Sequence, residues 1–416
     1  MVPTKKIPVI IDTDPGVDDV LAILLALASP ELEILAYIVS FGNTDVHSSY
    51  ENIYRLYQAV GRQIASHPED KARFPNYAPD VPPILVTGPD GPIEGERHSA
   101  IYFHGRDGLG NISQTHPDLN VSPDDKDHAF HANFTTTSKS GVQVALELLQ
   151  SREERSITYI VLGPLTGLAL LMRQHQEVVQ KRIGRVVIMG GALDVPGNVT
   201  PAAEFNIFAD AHAAKRLLCP ASPENGLPLE RVMLLPLDIT TLHELTFPFY
   251  VERVDPTFES TRKPSIESNK PPLVHFSSAF FERSREVMIE FGKDVLELHD
   301  IAAVWCALEN PPDSADKEVG LPSTSPGWIV MRRKFDIERT GETAGMMIPD
   351  RGTRALSQLE HHVPRSVDSN SPSAEAETDD LQIPTDPAEG VPYVVETPGP
   401  EALVRLLTKR VWGIDV

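Results

Sequence analysis

The chain has 416 residues, of which 41% are hydrophobic and 23% are charged, so it can bury a sizeable core, which excludes wholesale disorder. With 37 Lys and Arg against 59 Asp and Glu, its formal net charge is −22. Because such a surface repels phosphate backbones and anionic lipid headgroups, we expect no nucleic-acid and no membrane partner, whereas a metal cation or a neutral small molecule remains compatible.

Alternating strand-like and helix-like segments predict a mostly parallel sheet. The β-branched run Ile7–Ile11 is typical of a strand that is buried on both faces. The further elements predicted by the same patterns are a helix over Val20–Ala28, a strand over Glu33–Val39, a strand over Ser156–Leu162, a helix over Leu165–Arg173 and a strand over Arg185–Met189. This order predicts an α/β fold, a Rossmann-like doubly wound sheet with its ligand site at the carboxyl ends of the strands.

Three segments interrupt the alternation. Residues Ser66–Pro83 and Thr115–Gly141 are polar and predict long surface loops. The third segment covers residues 351–390, and its part from Ser366 to Gly390 contains acidic residues, Ser and Pro but no Lys or Arg. Because that composition cannot bury a core, we predict a disordered acidic insertion over residues 351–390.

The insertion divides what we predict to be one enzyme domain, formed by residues 1–350 together with residues 391–416. Ordered structure is predicted to resume with the apolar run Val391–Val395 and to end with a helix over Pro400–Trp412.

Cysteine usage and the N-terminal sequence predict a soluble, cytoplasmic protein. Cys219 and Cys306 are the two cysteines of the chain, and a single distant pair does not form a disulfide framework. The sequence contains no apolar run of about 18 residues, as a membrane-spanning helix would need. Because the predicted strand Ile7–Ile11 begins so early, we expect no cleavable hydrophobic leader.

Four carboxylates follow the first strand, in the segment Asp-Thr-Asp-Pro-Gly-Val-Asp-Asp from Asp12 to Asp19. In a strand Asp12 and Asp14 point the same way, roughly 6–7 Å apart, and the Pro-Gly turn brings Asp18 and Asp19 back towards them. Acids this close repel each other unless their pKa values rise or a cation joins them. Oxygen donors favour Ca²⁺ or Mg²⁺ over zinc. Helix capping combined with a tight turn is the alternative interpretation.

This segment resembles the signature of the inosine–uridine-preferring nucleoside hydrolases, Asp-x-Asp-Pro-Gly-x-Asp-Asp, and matches it at every fixed position. In that family the acids bind one Ca²⁺, which holds a water molecule and the ribose 2′- and 3′-hydroxyls. The resemblance implies that Asp14 is both a Ca²⁺ ligand and the base that takes the proton of the water. It also makes Asp19 a ligand, places Asp18 against the ribose hydroxyls, and leaves Asp12 as a supporting acid behind the ligands.

Three more segments resemble motifs of the family, and they occur in the same order along the chain. Asn43, after the second strand, is similar to an asparagine that positions the nucleophilic water. His104 lies in a His-Gly-x-x-Gly loop, where the family has a histidine that contacts or protonates the leaving base. Leu162 precedes Gly-Pro-Leu-Thr and is implied to bind Ca²⁺ through its backbone carbonyl. After Gly-Pro-Leu-Thr the family has an asparagine, whereas this chain has Gly167. We expect this departure to affect helix capping.

The later matches concern the ribose and the nucleobase. The segments Met-Gly-Gly, Gly-Asn and Glu-Phe-Asn imply that Asn198 and Glu204 bind the 5′-hydroxyl, Asn206 binds the 3′-hydroxyl and Met189 packs on the sugar. A His-Asp pair implies that Asp300 is a Ca²⁺ ligand and that His299 faces the base. From the residues alone, Glu204 and Asn206 would be ordinary loop residues and Asp300 would be a helix N-cap.

The implied activity is hydrolysis of the N-glycosidic bond of ribonucleosides, uridine or inosine or both, by a Ca²⁺-bound water with Asp14 as general base. The family also forms dimers and tetramers, so we expect a homo-oligomer. One departure concerns the leaving-group side, because Ile239-Thr240-Thr241 stands where the family usually has a histidine. The preferred base is left open.

Two other functions compete with this interpretation. Phosphatases of the haloacid-dehalogenase type also begin with Asp-x-Asp after a first strand, but here Pro15-Gly16 follows and no later Gly-Asp-x-x-x-Asp motif occurs. A calcium-dependent nucleoside-binding protein without turnover is the second alternative. Release of phosphate from esters would favour the first, and tight nucleoside binding without ribose release would favour the second.

Overall fold

The computed structural model describes residues 5–121, 132–222, 225–313, 320–350 and 389–416. The strands in these ranges are β1 (Ile7–Thr13), β2 (Leu32–Val39), β3 (Ile84–Thr87), β4 (Thr135–Thr136), β5 (Ile157–Val161), β6 (Ile183–Met189), β7 (Val232–Leu235), β8 (Glu244–Thr246), β9 (Val295–Glu297), β10 (Ile329–Arg333), β11 (Phe335–Ile337), β12 (Met347–Pro349) and β13 (Val391–Glu396).

The α-helices in the same ranges are α1 (Val17–Leu27), α2 (Val46–Ser66), α3 (Ile101–His104), α4 (Ile112–Thr115), α5 (Gly141–Ser151), α6 (Thr166–Arg182), α7 (Phe205–Ala209), α8 (Ala211–Leu218), α9 (Leu237–Thr240), α10 (Phe247–Arg253), α11 (Pro272–Glu290), α12 (His299–Glu309) and α13 (Pro400–Leu407). Short 3₁₀ turns cover Pro68–Ala72, Pro117–Leu119, Leu229–Arg231, Glu267–Asn269 and Gly341–Thr343.

Nine strands form one sheet in the order β10-β13-β7-β6-β5-β1-β2-β3-β4, in which every neighbouring pair is parallel except the antiparallel pair β10 and β13. The chain first adds β2, β3 and β4 on one side of β1 and then β5, β6 and β7 on the other. The order therefore reverses between β1 and β5, and ligands of such sheets bind outside the carboxyl ends at this point. The predicted doubly wound, mostly parallel α/β fold is confirmed.

Helices cover both faces of the sheet, and β1 illustrates why its sequence is apolar without alternation. Val9 and Ile11 pack into the core on the α1 and α12 face, whereas Ile10 packs into the core on the opposite face. Successive side chains of a strand point to opposite faces, so a strand covered on both sides needs apolar residues at every position. The polar residues of this strand come only where it leaves the core, at Asp12.

The predicted elements are confirmed with shifted ends, since β1 extends to Thr13, α1 begins at Val17 and α6 continues to Arg182. The predicted C-terminal strand and helix are confirmed as β13 and α13, and the last turn, Thr408–Trp412, is π-helical. The prediction that Thr115–Gly141 is only a loop was wrong, because β4 adds an edge strand to the sheet there; residues 122–131 of that segment lie outside the described residues.

Two long helices, α2 and α11, were not predicted because polar residues run through their apolar pattern. In α11 the hydroxyls of Ser277 and Ser284 are buried and donate to the carbonyls of Leu273 and Phe280, four residues earlier, at 2.9 and 3.2 Å. Such bonds satisfy the hydrogen-bonding capacity of buried hydroxyls inside a helix. A helix that contains serines can therefore lie in the core, although its sequence does not look apolar.

The remaining sequence expectations concern the insertion, the cysteines and the membrane. The predicted acidic insertion, residues 351–390, lies outside the described residues apart from its last two positions. Cys219 and Cys306 are both free thiols, as expected. Within the described ranges, the helices are all too short or too polar to cross a membrane.

A buried ion pair distant in sequence from the acidic cluster joins the loop before α11 to the segment after α10. The Lys270 Nζ lies 2.5 Å from Asp255 Oδ2, and the two side chains are 7% and 3% exposed. Burial raises the pKa of Asp255, but hydrogen bonds from Lys270 and from Ser278 outweigh it and lower the pKa overall. The pair therefore contributes stability above the ordinary pKa of an aspartate and loses that contribution as the pH falls through the lowered value.

We expect Lys270→Met to lower the free energy of unfolding by about 3–5 kcal/mol, because it leaves a buried carboxylate without its cation. Urea unfolding at neutral pH measures the change. The matched control is Lys263→Met, which removes an exposed lysine 2.8 Å from Glu259 and should cost less than about 1 kcal/mol. Equal losses in the two variants would contradict the expectation.

Candidate active site

A cavity of about 390 Å³ opens at the carboxyl ends of β1, β2, β5 and β6. Its wall contains ten of the predicted site residues, namely Asp18, Asn43, His104, Leu162, Met189, Asn198, Glu204, Asn206, His299 and Asp300. The other two, Asp14 and Asp19, are completely buried and hydrogen-bonded to Asn43. Residues spread over nearly 290 positions of sequence are thus brought to the point where the strand order reverses.

Asp19 closes the N-terminus of α1, as the capping interpretation expected. Its Oδ2 accepts from the amide of Gly16 at 3.0 Å and from Nδ2 of Asn43 at 2.8 Å. Its Oδ1 accepts from the hydroxyl of Thr13 at 2.5 Å. Capping therefore explains one acid of the four and holds the turn between β1 and α1 in place.

Capping does not explain Asp14 and Asp18, because the Oδ1 atom of each is buried and has no hydrogen-bond partner. The other oxygen of Asp14 accepts from the amide of Asn43 at 2.7 Å. A methyl group at Gly42 or Gly163 would overlap the Asp14 carboxylate, so both glycines are needed for the close approach of the backbone. A cation bound among these acids would give both buried oxygens a partner.

Asp18, Asp19 and Asp300 each offer one oxygen, and these three atoms lie within 4.8 Å of one another. Burial and repulsion from Asp19 raise the pKa of Asp18 to about 7. Burial and repulsion from Asp18 likewise hold the pKa of Asp300 well above its ordinary value. The donors are all oxygens and the charges repel, which is what a divalent cation of the Mg²⁺ or Ca²⁺ type would compensate.

Asp14 lies beside this group of three acids rather than within it. Burial raises its pKa well above the ordinary value, and the charges of Asp19 and Asp18 raise it further. The carbonyl of Leu162, another predicted ligand, accepts from Nδ2 of Asn206 at 2.6 Å and keeps a second lone pair. The ligand set taken from the sequence therefore stays a prediction.

Asp12 is buried outside the cavity wall, consistent with the supporting role predicted for it. It accepts from the hydroxyls of Ser40 and Tyr159, both at 2.9 Å, and burial raises its pKa to about 7. A Cβ atom at Gly167 would lie 2.5 Å from its Oδ2. The glycine at this position therefore makes room for Asp12, a reason beyond the capping effect that we expected.

The predicted ribose-binding residues share one side of the cavity. Glu204 caps α7, with its carboxylate accepting from the amides of Asn206, Ile207 and Gly191 at 2.7, 3.1 and 2.7 Å. The Oδ1 atom of Asn198 accepts from the amide of Phe205 at 2.9 Å. Because these bonds fix each side chain, the remaining acceptors and donors face the cavity in set directions, which suits a polyhydroxyl ligand.

The pKa values of the two predicted histidines shift in opposite directions. Nδ1 of His104 accepts from the amide of Val17 at 3.1 Å, so this ring is the neutral tautomer with its proton on Nε2. Burial, together with His299, lowers the pKa of His104 to about 3. Burial also lowers the pKa of His299, but Glu297 and the nearby acids outweigh burial and raise it overall. His104 is therefore suited to donate a hydrogen bond, and His299 to carry a proton.

A family model described as inosine-uridine preferring nucleoside hydrolase matches residues 9–372. The chain belongs to this family. The match confirms the resemblance found in the sequence, and it includes every residue of the cavity wall.

Individual relatives support the same family assignment. The pyrimidine-specific ribonucleoside hydrolase RihA of Klebsiella pneumoniae strain 342 is 32% identical over 294 residues, which are 71% of this chain and 77% of that protein. An uncharacterized protein of Schizosaccharomyces pombe is 34% identical over 237 residues, 57% of this chain and 62% of that protein. The matched part thus spans less than two thirds of that relative.

Solved structures of nucleoside hydrolases share the fold. The plant nucleoside hydrolase PpNRh1 has a TM-score of 0.64 at 22% identity, covering 97% of this chain and 98% of that chain. The purine-preferring ribonucleoside hydrolase of Gardnerella vaginalis has a TM-score of 0.64 at 20% identity, covering 98% of each chain.

One wall of the cavity consists of residues that were not predicted from the sequence. It comes from α3, from the end of α11 and from the approach to α12, and it includes Tyr102, Phe103, Met288, Phe291, Lys293, Leu296 and Glu297. Phe291 is 63% exposed although it lines the cavity. The signals in the sequence are their positions, because Tyr102 and Phe103 directly precede His104 and Glu297 precedes the His-Asp pair by two positions.

Proposed function

We propose that this chain hydrolyses the N-glycosidic bond of ribonucleosides, uridine or inosine or both, to the free base and ribose. The observation that carries the proposal is the composition of one cavity. It combines a group of mutually repelling buried carboxylates, polar side chains held in fixed directions and a histidine with a raised pKa. Neither a phosphatase nor a binding protein needs all three.

We assign the metal to Ca²⁺, held by Asp14, Asp19, Asp300 and the carbonyl of Leu162, with Asp18 beside the ribose hydroxyls. The unpartnered Oδ1 atoms of Asp14 and Asp18 support a hard cation there. When bound, the ion supplies a positive charge and Lewis-acid activation of water.

Asp14 acts as the general base. Its Oδ2 accepts from the backbone amide of Asn43 at 2.7 Å, and this bond ties the carboxylate to a residue that lines the cavity. As the oxygen of the water bonds to the anomeric carbon, its proton passes to Asp14. The bond from that carbon to the nitrogen of the base breaks through an oxocarbenium-like transition state.

The leaving base takes the electron pair of the broken bond and receives a proton from His299. The raised pKa of His299 supports this acid role, because a larger share of the rings is protonated near neutral pH. His104 is neutral and donates a hydrogen bond from Nε2 without acting as the acid. Met189 packs on the sugar, while Asn198, Glu204 and Asn206 orient its 5′- and 3′-hydroxyls.

The deciding experiment measures free ribose, free base and phosphate after incubation of the purified protein with uridine, inosine and their 5′-monophosphates. We expect ribose and base from the nucleosides. Phosphate without base would favour the phosphatase, and tight binding of nucleosides without any product would favour the binding protein. The ratio of the rates for uridine and inosine then establishes the preferred base.

We expect 2′-deoxyuridine to be hydrolysed at least about 100-fold more slowly than uridine, in terms of kcat/KM. A missing hydroxyl leaves polar groups at Asp18 and the ion without their partner, and sites built to bind a hydroxyl reject such analogues strongly. The control is 5′-deoxyuridine, which keeps the 2′- and 3′-hydroxyls near the acids. Its kcat/KM should be reduced less than that of 2′-deoxyuridine. Similar rates for uridine and 2′-deoxyuridine would contradict the placement of the ribose at the carboxylates.

We also propose that the protein is cytoplasmic and forms a homo-oligomer, a dimer or a tetramer. The two free thiols fit a reducing compartment. Light scattering coupled to size-exclusion chromatography tests the oligomer, and an elution mass of 45.8 kDa, that of one chain, would contradict it.

A further inference from the structure

The imidazole ring of His299 is held at both of its nitrogens. Nδ1 lies 2.8 Å from the hydroxyl of Thr240, and Nε2 lies 3.3 Å from Oε2 of Glu297. Thr240 is completely buried, and the side chains of His299 and Glu297 are 13% and 20% exposed. Two contacts on opposite sides of a planar ring define both its position and its rotation.

Glu297 occupies an unfavourable position in the two-stranded sheet that β8 and β9 form. In the antiparallel pair of β8 and β9, Glu297 lies directly opposite Glu244, and like charges at such positions repel. Lys293 relieves the repulsion, with its Nζ 2.6 Å from Glu297 Oε1 and 3.1 Å from Glu244 Oε1. The stability of this strand pair does not require two glutamates at opposite positions.

The bridge by Lys293 engages one carboxylate oxygen of Glu297 and leaves Oε2 directed at His299. Lys293, Glu297 and His299 all line the cavity on the wall formed by the end of α11 and by β9. On the far side of the ring, Thr240 at the end of α9 supplies the second contact.

We propose that Glu297 is a positioning residue for the departure of the nucleobase: it accepts the Nε2–H of His299 and, with Thr240 at Nδ1, fixes the imidazole in the cavity wall. The proposal rests on the proposed function, because it assigns His299 to the leaving base. The Nε2 contact of 3.3 Å is long for a hydrogen bond to a carboxylate, so the same N–H can be shared with a base nitrogen while the ring stays in place.

The test compares Glu297→Ala and Glu297→Gln on two kinds of riboside. The nucleobases of uridine and inosine are poor leaving groups unless they are protonated, whereas p-nitrophenyl β-D-ribofuranoside releases a stable phenolate that needs no proton. With uridine or inosine, Glu297→Ala should lower kcat by about 10- to 100-fold and leave KM within about threefold. With the nitrophenyl riboside it should change kcat by less than about threefold. Glu297→Gln keeps an acceptor oxygen, so its kcat with uridine or inosine should be close to that of the wild type.

The matched control is Glu244→Ala, which removes the opposite carboxylate of the same strand pair and leaves the contacts of His299 in place. It should leave kcat for both substrates unchanged. An equal loss on both substrates in Glu297→Ala, or a Glu297→Gln variant as impaired as Glu297→Ala, would overturn the positioning role. Wild-type protein that hydrolyses neither uridine nor inosine would instead overturn the proposed function, so the two failures are distinguishable.

Discussion

Asp14→Asn is expected to lower kcat/KM for uridine by about 10²- to 10⁴-fold, the contribution typical of a general base, with further loss from weaker metal binding. An amide cannot take the proton of the water, and it is a poorer ligand than a carboxylate. The fold should persist, because the neutral amide can still accept from the amide of Asn43 and removes a charge that is repelled by Asp19 and Asp18.

The control for this substitution is Asp336→Asn, an exposed aspartate paired with Lys215 on the surface. It makes the same chemical change far from the cavity and should keep full activity. Circular dichroism and thermal unfolding of both variants establish that they are folded. An Asp14→Asn protein with wild-type turnover would exclude Asp14 as the base.

Removal of divalent cations is expected to abolish ribose release, and added Ca²⁺ should restore it. Thermal unfolding followed with and without Ca²⁺ gives a measure that does not depend on activity. A hundredfold excess of Ca²⁺ over its Kd should stabilise the fold by about 2.7 kcal/mol. Potassium chloride at equal ionic strength is the control for screening of the surface charges, and Mg²⁺ tests the preference among hard cations.

The stabilisation by Ca²⁺ should depend on pH in a defined direction. Without the ion, burial and the charge of Asp19 raise the pKa of Asp18 to about 7. Asp18 lies beside the proposed ligands, so its proton in acid removes a negative charge that would otherwise attract the ion. A raised pKa in the folded state also means that the metal-free protein loses stability as the pH rises towards and through 7. The shift in Tm caused by Ca²⁺ should therefore grow from pH 5.5 to pH 8. A shift that is constant over this range would argue against binding at these carboxylates.

Sequence alone determined the parts of this protein that depend on neighbouring residues. The run Ile7–Ile11 predicts a strand buried on both faces, because no polar residue interrupts it. Asp14, Asp18 and Asp19 lie within six positions, so a strand end and a tight turn suffice to bring these three carboxylates close together. The order of strands and helices then predicts the doubly wound sheet, and with it the edge at which segments that follow different strands, such as those of Asn43 and Leu162, meet.

Only the tertiary structure decided which groups form hydrogen bonds with the site residues and which groups surround them. Glu297 and Lys293 face His299 because β9 pairs with β8, and Thr240 meets the other nitrogen from a different part of the chain. The orphaned oxygens of Asp14 and Asp18 likewise depend on which distant donors reach the site. The physical reason is the range of the interactions: backbone patterns arise from contacts a few residues apart, whereas hydrogen bonds and burial at a cavity wall arise from packing between elements far apart in sequence.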